Sequence, residues 1–339
     1  MPKKNCFSSF VLYILVALVL NVWGSVLSLE AAETVQSILE KVQTKSAPTG
    51  PYSANIVCAE QKSGKIIIFK PSDENNSNWN DPASVVWEWD ASQSKEIKPE
   101  HRSWFFNPDE CKPVLGTSHL LMTASGGGVA LIRLSDKSTL FYAQAGGNPH
   151  SAALLPDGNV VSISSAGYFL VFAVPEKFMG PENVKSVRYP SHGGHGLVWD
   201  NSEKRLWVLG YTELAAYKYN FDKQNPILTK EFFVPLEGTP ASGGHDLYPV
   251  PGQRQLFTTG QSVAIFDLET RRFTEISNLR RIKSVSLSPS GELIVLSPTK
   301  EWWSESVTFL NEPLTPIGTR AEARIYKARW WVPNLMSEE

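Results

Sequence analysis

A unit of about 45 residues recurs along this chain and constrains its fold more than any other feature of the sequence. Five stretches share an apolar segment, a polar turn and a second apolar segment: ECKPVLGTSHLLMTAS from Glu110, HSAALLPDGNVVSISS from His150, HGLVWDNSEKRLWVLG from His195, HDLYPVPGQRQLFTTG from His245 and KSVSLSPSGELIVLS from Lys283. Their starting points lie 40, 45, 50 and 38 residues apart. Repeats of ~40–50 residues that each supply four strands are typical of β-propeller blades.

A sixth unit precedes these five, and the last unit extends far enough to meet it. The early unit reads SANIVCAE, GKIIIFK and SVVWEWD, and the last one continues through SVTFLN to ARIYKARWW. We therefore predict an all-β fold, a six-bladed β-propeller over residues 54–333 with four antiparallel strands per blade and a tail at 334–339. The last and first units are expected to close the ring, which leaves no open sheet edge.

The N-terminus has the order of a secretory signal. Lys3 and Lys4 precede the apolar stretch Phe10–Leu20, and small residues follow it. We interpret residues 1–28 as a signal peptide and residues 29–53 as a short helix and linker. An uncleaved anchor is the alternative, because Phe10–Leu29 is nearly the ~20 apolar residues that span a bilayer. Both interpretations predict export to the periplasm or the cell exterior, with no membrane contact beyond this segment.

Two cysteines remain once the signal is removed. An oxidising compartment permits a disulfide bond between Cys58 and Cys111, whereas two separate buried thiols fit the sequence equally well. The cysteine and histidine spacings do not include a CxxC or another zinc-ligand pattern, so the sequence does not predict a structural zinc site.

The histidines that open the repeats are the first candidates for a functional site. The first strand of a propeller blade is the innermost, and the residue just before it lies at the mouth of the central channel. His150, His195 and His245 share this position in three consecutive blades, and Glu110 and Lys283 take it in the neighbouring ones. We therefore expect Glu110 and the three histidines to form a ligand-binding set at the mouth.

Three converging imidazoles are suited to hold a metal ion. Neutral imidazole is the commonest metal ligand in proteins, and three of them leave a fourth position open for water or substrate. The prediction is a divalent ion (Mn, Ca or Zn) on His150, His195 and His245, with His192 or Lys283 as the catalytic base. The alternative is structural, in which each histidine donates a hydrogen bond to a backbone carbonyl and was copied with the repeat.

Four motifs resemble those of a known but uncharacterised family. The stretches NWNDPASVVWEWD, TASGGGVALI, GGNPHSAALLPDGN and ARIYKARWW together resemble a family of secreted bacterial propeller proteins, a domain of unknown function, over about residues 54–333. The resemblance implies an exported bacterial six-bladed propeller and supplies no activity. The phrase at His150 is also similar to a blade motif of arylsulfotransferases, and clustered channel histidines are similar to the manganese site of oligogalacturonate lyases.

Three functions fit these observations, and whether the chain is an enzyme stays open. The first is binding of a polar small molecule or glycan at the channel mouth through His150, His195 and His245. The second is a metal-dependent lyase acting on a polysaccharide or oligosaccharide. The third is a structural or protein-interaction propeller of the cell envelope. Nucleic acid is not an expected partner, because 32 basic and 34 acidic residues give a net charge of −2 without a basic run.

Overall fold

The computed structural model describes residues 51–338, and these form a six-bladed β-propeller with four antiparallel strands per blade. The predicted fold class and the number of blades are confirmed. The signal peptide and most of the predicted linker lie outside the described residues. Within the described part of the chain, no helix is long and apolar enough to cross a membrane.

The blades follow one another along the chain, and the strands are numbered in chain order. The first blade contains β1 (Ile56–Glu60), β2 (Lys65–Phe69) and β4 (Val85–Asp90), joined by β25 (Ile325–Trp330). The second contains β5 (Pro108–Val114), β6 (His119–Ala124), β7 (Gly128–Arg133) and β8 (Thr139–Gln144). The third contains β9 (Pro149–Leu154), β10 (Val160–Ser164), β11 (Tyr168–Ala173) and β12 (Lys185–Pro190).

The last three blades follow the same order. The fourth contains β13 (Gly196–Asp200), β14 (Arg205–Leu209), β15 (Glu213–Tyr219) and β16 (Leu228–Pro235). The fifth contains β17 (Asp246–Pro249), β18 (Gln255–Thr259), β19 (Val263–Asp267) and β20 (Arg272–Ser277). The sixth contains β21 (Ser284–Leu287), β22 (Leu293–Leu296), β23 (Ser306–Phe309) and β24 (Pro316–Thr319), to which the short β3 (Ser77–Asn78) adds in parallel.

Short helices occupy some of the connections. Four are 3-10 helices, at Pro82–Ser84, Ala91–Gln93, Pro99–Phe105 and Pro181–Asn183. One α-helical turn, α1 (Leu335–Glu338), follows the last strand. Its Ser337 hydroxyl donates to the carbonyl of Trp199 at 2.8 Å, so the tail packs on the fourth blade.

The ring closes through the last strand, as predicted. The strand β25 pairs antiparallel with β1, with Ile56 opposite Trp330 and Cys58 opposite Ala328. The C-terminal strand thus becomes the innermost strand of a blade whose other three strands come from the N-terminal end of the propeller. This exchange covers both terminal edges of the ring with backbone hydrogen bonds.

Apolar side chains pack between neighbouring blades, while the outermost strands face solvent. The aromatic rings of Phe69 and Trp79 stack at 4.5 Å, and Trp330 is fully buried in the same core. The outer strand β12 reads KSVRYP and is mostly exposed. Inner and middle strands are buried on both faces, so their sequences are continuous apolar runs that can be recognised without a structure.

Cys58 and Cys111 are separate free thiols buried in the propeller. Burial raises the pKa of both thiols, which keeps them protonated and unreactive. We expect a thiol reagent such as Ellman's reagent to label neither cysteine in the folded protein, and to label both after unfolding in guanidinium. Rapid labelling of either one without denaturant would contradict the burial described here.

Candidate functional site

The inner strands place six equivalent residues around one end of the channel. In three blades the residue just before the inner strand donates its backbone N–H to the second strand. These are His195, His245 and Lys283, and their acceptors are the carbonyls of Leu209, Thr259 and Leu296, at 2.8–2.9 Å. Each therefore lies one residue outside the ladder, at the start of its inner strand.

In the other three blades the same position is a β-bulge. The pairing of β5 passes from Pro108 directly to Glu110, which leaves Asp109 out of register. In the same way β9 omits His150 and β25 omits Tyr326. A bulge redirects the side chain of the extra residue. We call the six residues the mouth ring: Asp109, His150, His195, His245, Lys283 and Tyr326.

The sequence alignment placed Glu110 in this ring, and the structure places Asp109 there instead. Glu110 pairs with Thr123 in the ladder and lies one residue deeper in the channel, where it is fully buried. The bulge at Asp109 explains the difference, because it shifts the register of this blade by one residue relative to the ungapped alignment.

The three histidines of the mouth ring stack on one another. The ring centroids of His150 and His195 are 4.3 Å apart with planes at 9°, and those of His195 and His245 are 4.9 Å apart at 33°. Tyr211, about one-third exposed, stacks on His195 at 5.0 Å and lies 6.0 Å from His245. The three imidazoles therefore lie close together, as the sequence predicts, and they do so as a stack of rings.

Hydrogen bonds to backbone carbonyls orient two of these rings. Nδ1 of His195 lies 2.9 Å from the carbonyl oxygen of Gly193, and Nδ1 of His245 lies 2.6 Å from that of Gly243. A carbonyl oxygen can only accept, so both Nδ1 atoms carry the proton and both Nε2 atoms keep a lone pair. Within residues 51–338 no group bonds to either Nε2 atom.

His150, at the inner end of the stack, uses both of its nitrogens. The amide of Asn148 donates to Nε2 at 3.0 Å, so Nδ1 carries the proton and donates to the Tyr326 oxygen at 3.3 Å. Asp109 lies 3.9 Å from the same Nδ1 atom. This histidine therefore holds the stack in place and has no nitrogen left for a ligand.

Burial keeps the imidazoles of the mouth ring neutral. Burial lowers the pKa of His195 to about 3 and that of His245 to about 4, assisted by the positive charges of Lys283 and Lys327. The pKa of His150 is also lowered well below its usual value, first by burial. Burial has the opposite effect on a carboxylic acid and raises the pKa of Asp109 to about 8.

Lys283 is the one lysine of the mouth ring, and its ammonium group is close to titrating at neutral pH. Burial, with the repulsion of Arg281 and Lys327, lowers the pKa of Lys283 to about 8. Its Nζ lies 5.8 Å from the centre of the Tyr326 ring. The mouth ring thus combines two imidazole acceptors with one cationic donor.

Below the mouth ring the channel is filled by buried charges. We call these residues the axial ion cluster: Glu110, Lys112, Asp246, Lys327 and Arg329. The guanidinium of Arg329 donates to both oxygens of Asp246 at 2.6 Å and to Glu110 at 3.2 Å. Arg329 belongs to the first blade, Glu110 to the second and Asp246 to the fifth. The guanidinium therefore links three blades across the axis of the propeller.

Lys327 completes the cluster directly under the histidines. Its Nζ donates to Glu110 at 3.3 Å, to Asp246 at 3.2 Å and to the carbonyl of His150 at 3.0 Å. The positive charges of Arg329 and Lys327 outweigh the effect of burial and lower the pKa of Glu110 to about 2. Three cations face two carboxylates, so the cluster carries one net positive charge beneath the mouth.

The remaining predicted residue, His192, lies at the rim. It is exposed, and its ring meets the edge of Tyr211 at 6.0 Å. Sequence reasoning missed Tyr211 and Tyr326. Tyr326 could have been found by aligning the closing strand with the other inner strands. It lies directly before Lys327, whose side chain points into the channel, just as each histidine lies directly before its inner strand.

The stack does not offer the geometry of a shared metal site. The lone pair of an imidazole nitrogen lies in the plane of its ring, so parallel rings direct their lone pairs side by side instead of towards one point. Among the described residues, no group of three or more His, Cys, Asp or Glu side chains is arranged to hold a metal ion. The divalent ion on His150, His195 and His245 stays a prediction that this geometry does not favour.

One solved structure supports the fold, and two further structures align with lower TM-scores. A protein of unknown function from Bacteroides caccae aligns at 13% identity with a TM-score of 0.51, over 82% of this chain and 98% of that one. A putative 6-phosphogluconolactonase from Bacteroides fragilis aligns at 14% identity with a TM-score of 0.48, over 84% and 98%. Hydrazine synthase from Kuenenia stuttgartiensis aligns at 14% identity with a TM-score of 0.40, over 58% of this chain and 60% of that one.

At such identities the likeness is one of fold alone. This chain spans less than two thirds of the matched hydrazine synthase chain. No curated protein matches the sequence. A family model covers nearly the whole chain, over residues 14–339. The chain belongs to that family, a family of unknown function (DUF6528).

Proposed function

We propose that this propeller binds a hydroxylated ligand, an oligosaccharide by preference, at the mouth ring. The observation that carries the proposal is the protonation of the histidine stack. His195 and His245 present bare Nε2 acceptors at neutral pH, and Lys283 adds a donor beside them. A sugar hydroxyl donates and accepts at the same oxygen, so it matches this pair of groups.

His245 is the direct contact in this proposal, because it is the most exposed histidine of the stack. His195 lies beneath it, buried, with its own bare Nε2 acceptor, and the buried His150, whose two nitrogens are both used, holds the stack in place. Tyr211 offers an aromatic face beside them, on which the apolar side of a sugar ring can pack. The net positive charge of the axial ion cluster favours a ligand that also carries a carboxylate, such as a uronic acid.

A glycan array followed by calorimetry tests the proposal. We expect the protein to retain oligosaccharides, with uronate-containing ones strongest, and His245→Phe to weaken the best of them by about tenfold. Phenylalanine keeps the aromatic stack but removes the Nε2 acceptor, together with the Nδ1–H that donates to Gly243. Loss of the one hydrogen bond to the ligand costs about 1 kcal/mol or somewhat more.

His119 provides the matched control, since it opens β6 at the other end of the channel. We expect His119→Phe to bind as the original protein does. Equal affinity of the His119→Phe and His245→Phe variants for every retained glycan would refute the mouth ring as the binding site.

A second function at the same face is favoured by one observation, the lowered pKa of Lys283. A neutral Lys283 amine would take the proton alpha to a uronate carboxylate, and the bond from the beta carbon to the glycosidic oxygen would break. The leaving oxygen takes a proton from water, and the product carries a carbon–carbon double bond conjugated with its carboxylate.

Ultraviolet absorbance of that double bond measures this second function. We expect slow accumulation of the unsaturated product from polygalacturonate, lost in Lys283→Met and retained in Lys62→Met, an exposed lysine of the first blade. Binding of uronates without any rise in absorbance would leave ligand binding as the function and exclude the lyase for that substrate.

A further inference from the structure

An exposed tryptophan lies on the same face of the propeller as the mouth ring. Trp302 belongs to the loop that joins β22 to β23, and it is 43% exposed. The strand β22 ends at Leu296, whose carbonyl accepts the backbone N–H of Lys283 in the mouth ring. The loop therefore leaves the sixth blade at the mouth end of the channel. Tryptophan is highly buried on average, so its exposure at this place needs an explanation.

Hydrogen bonds hold the ring of Trp302 in one orientation. Its Nε1 donates to Oε1 of Gln61 at 3.0 Å, and Nε2 of Gln61 donates to Oδ1 of Asp109 at 2.9 Å. Gln61 is buried, and both ends of its amide are engaged. The indole nitrogen is the only polar atom of a tryptophan side chain, so the exposed part of Trp302 is aromatic surface. A ring that is already fixed loses little entropy when a ligand packs on it.

A tight turn anchors the backbone beside Trp302. Backbone hydrogen bonds join Lys300 and Trp303 in both directions, at 3.3 and 3.2 Å. Trp303 is buried, with Nζ of Lys300 at 5.1 Å and Cζ of Arg324 at 5.3 Å from the centre of its ring. Of the two adjacent tryptophans, one thus holds the turn on the propeller and the other is presented to solvent.

A guanidinium group connects this turn with the mouth ring. Arg281 lies two residues before Lys283 and is exposed, and its side chain donates to the carbonyl of Glu301, the residue before Trp302. Its positive charge also contributes, after burial, to the lowered pKa of Lys283. Among the described residues, the Glu301 carbonyl is the one hydrogen-bond partner of this guanidinium. Further N–H groups of Arg281 therefore remain for a ligand.

Trp302 and Tyr211 lie on opposite sides of the mouth. Gln61, which holds Trp302, directly follows β1 of the first blade, whereas Tyr211 lies between β14 and β15 of the fourth. In a ring of six blades the first and the fourth face each other across the axis. A ligand that contacts both aromatic rings must therefore cross the mouth, which requires a chain of sugar units.

We propose that Trp302 and Arg281 form a second sugar subsite, which takes a uronic acid unit of an oligosaccharide whose other end occupies the mouth ring. This inference rests on the proposed function and specifies its ligand as an acidic chain that crosses the mouth. The apolar side of the sugar packs on Trp302, and its carboxylate accepts hydrogen bonds from Arg281. Arg281, Lys283 and the axial ion cluster outweigh the exposed carboxylate of Glu301, which favours an acidic ligand over a neutral one.

Calorimetric titration with galacturonate and with oligogalacturonates of two to six units tests the subsite. The single sugar binds at the mouth ring alone, whereas longer chains reach both subsites, so affinity should rise with length. We expect Trp302→Ala to weaken the hexamer by about tenfold and to leave galacturonate unchanged. Arg281→Gln, which keeps a donor for the Glu301 carbonyl, should weaken the hexamer by about fivefold at low salt.

Two variants serve as controls. Trp302→Phe keeps an aromatic ring without the hydrogen bond to Gln61 and should retain most of the affinity for the hexamer. Phe233 is a similarly exposed aromatic residue with the cation of Lys230 beside it, but it lies in the outer strand β16. We expect Phe233→Ala to bind every member of the series as the original protein does. Circular dichroism and thermal unfolding establish that all variants are folded.

Equal affinity of Trp302→Ala and Phe233→Ala for the hexamer would overturn the inference. A loss of galacturonate binding in Trp302→Ala as large as that of the hexamer would also overturn it, because Trp302 would then only support the mouth ring. His245→Phe should weaken every member of the series, so the mouth ring is tested separately. Absence of saturable binding throughout the series would overturn the second subsite, whereas the glycan array tests the mouth ring with other sugars.

Discussion

Replacing Arg329 with methionine should lower the free energy of unfolding by about 3–5 kcal/mol. The change leaves the carboxylates of Glu110 and Asp246 in the centre of the propeller with Lys327 as their nearest remaining cation. Methionine retains most of the apolar volume of the arginine stem, so the loss is mainly one of charge and hydrogen bonds. Urea unfolding followed by circular dichroism measures the change.

Arg133→Met is the matched control for this prediction. Arg133 donates to Asp136 at 2.6 Å, but both side chains are about half exposed, and solvent screens the pair. We expect the control to cost less than about 1 kcal/mol. A loss as small in Arg329→Met would show that the axial ion cluster does not hold the blades together.

The stability of the protein should fall steeply with acid. Between pH 6.5 and about 4 the unfolded chain takes up a proton at each of His150, His195 and His245, whereas the folded chain does not, because each pKa is lowered. Stability from these groups is complete above pH 6.5 and is lost as the pH falls towards their folded values.

Asp109 acts in the opposite direction over the same range. Its pKa is raised to about 8, so the folded chain keeps one proton that the unfolded chain has lost. On unfolding the three histidines take up three protons and Asp109 releases one, so the net uptake is about two protons. The free energy of unfolding therefore falls by roughly 2–3 kcal/mol for each pH unit of acidification near pH 5. Below pH 4.5 the lowered pKa of Glu110 causes a further loss of stability, because the unfolded chain takes up a proton there and the folded chain does not.

Urea unfolding at a series of pH values between 7 and 5 measures this slope in the original protein and in two variants. His195→Gln should reduce the slope by about one proton, and Asp109→Asn should increase it by about one, because asparagine mimics the protonated acid. A free energy of unfolding that does not fall between pH 7 and 5 would contradict the lowered pKa values of the three imidazoles.

The sequence predicted the fold well because the inner and middle strands are buried on both faces. Stretches such as VVSIS and YFLVFA in the third blade are recognisable as strands in any context. The outer strand KSVRYP of that blade was not recognised, because an exposed edge strand has neither an apolar run nor a clear alternation. The geometry of the blades then predicted that the three histidines lie close together, because equivalent positions in the inner strands of a propeller surround one axis.

The parts of the site that the sequence did not predict depend on register and on contacts across the axis. A bulge at Asp109 moved Glu110 out of the ring, and an ungapped alignment cannot show a bulge. The axial ion cluster joins β25 to strands that lie more than 80 residues away along the chain. Lys327 and Arg329 lie in the strand that closes the ring, and two cations at alternate positions of such a strand are the signal that could have indicated buried counter-charges, which Glu110 and Asp246 supply.

The central claim is that the neutral histidines of the mouth ring contact a ligand, and nitrogen-15 NMR of the imidazoles tests it most directly. At pH 7, His195 and His245 should appear as neutral rings protonated at Nδ1. Addition of a retained oligosaccharide should shift the Nε2 signal of His245 and leave that of His119 unchanged. Saturation with the ligand without any change at His245 or His195 would contradict the claim.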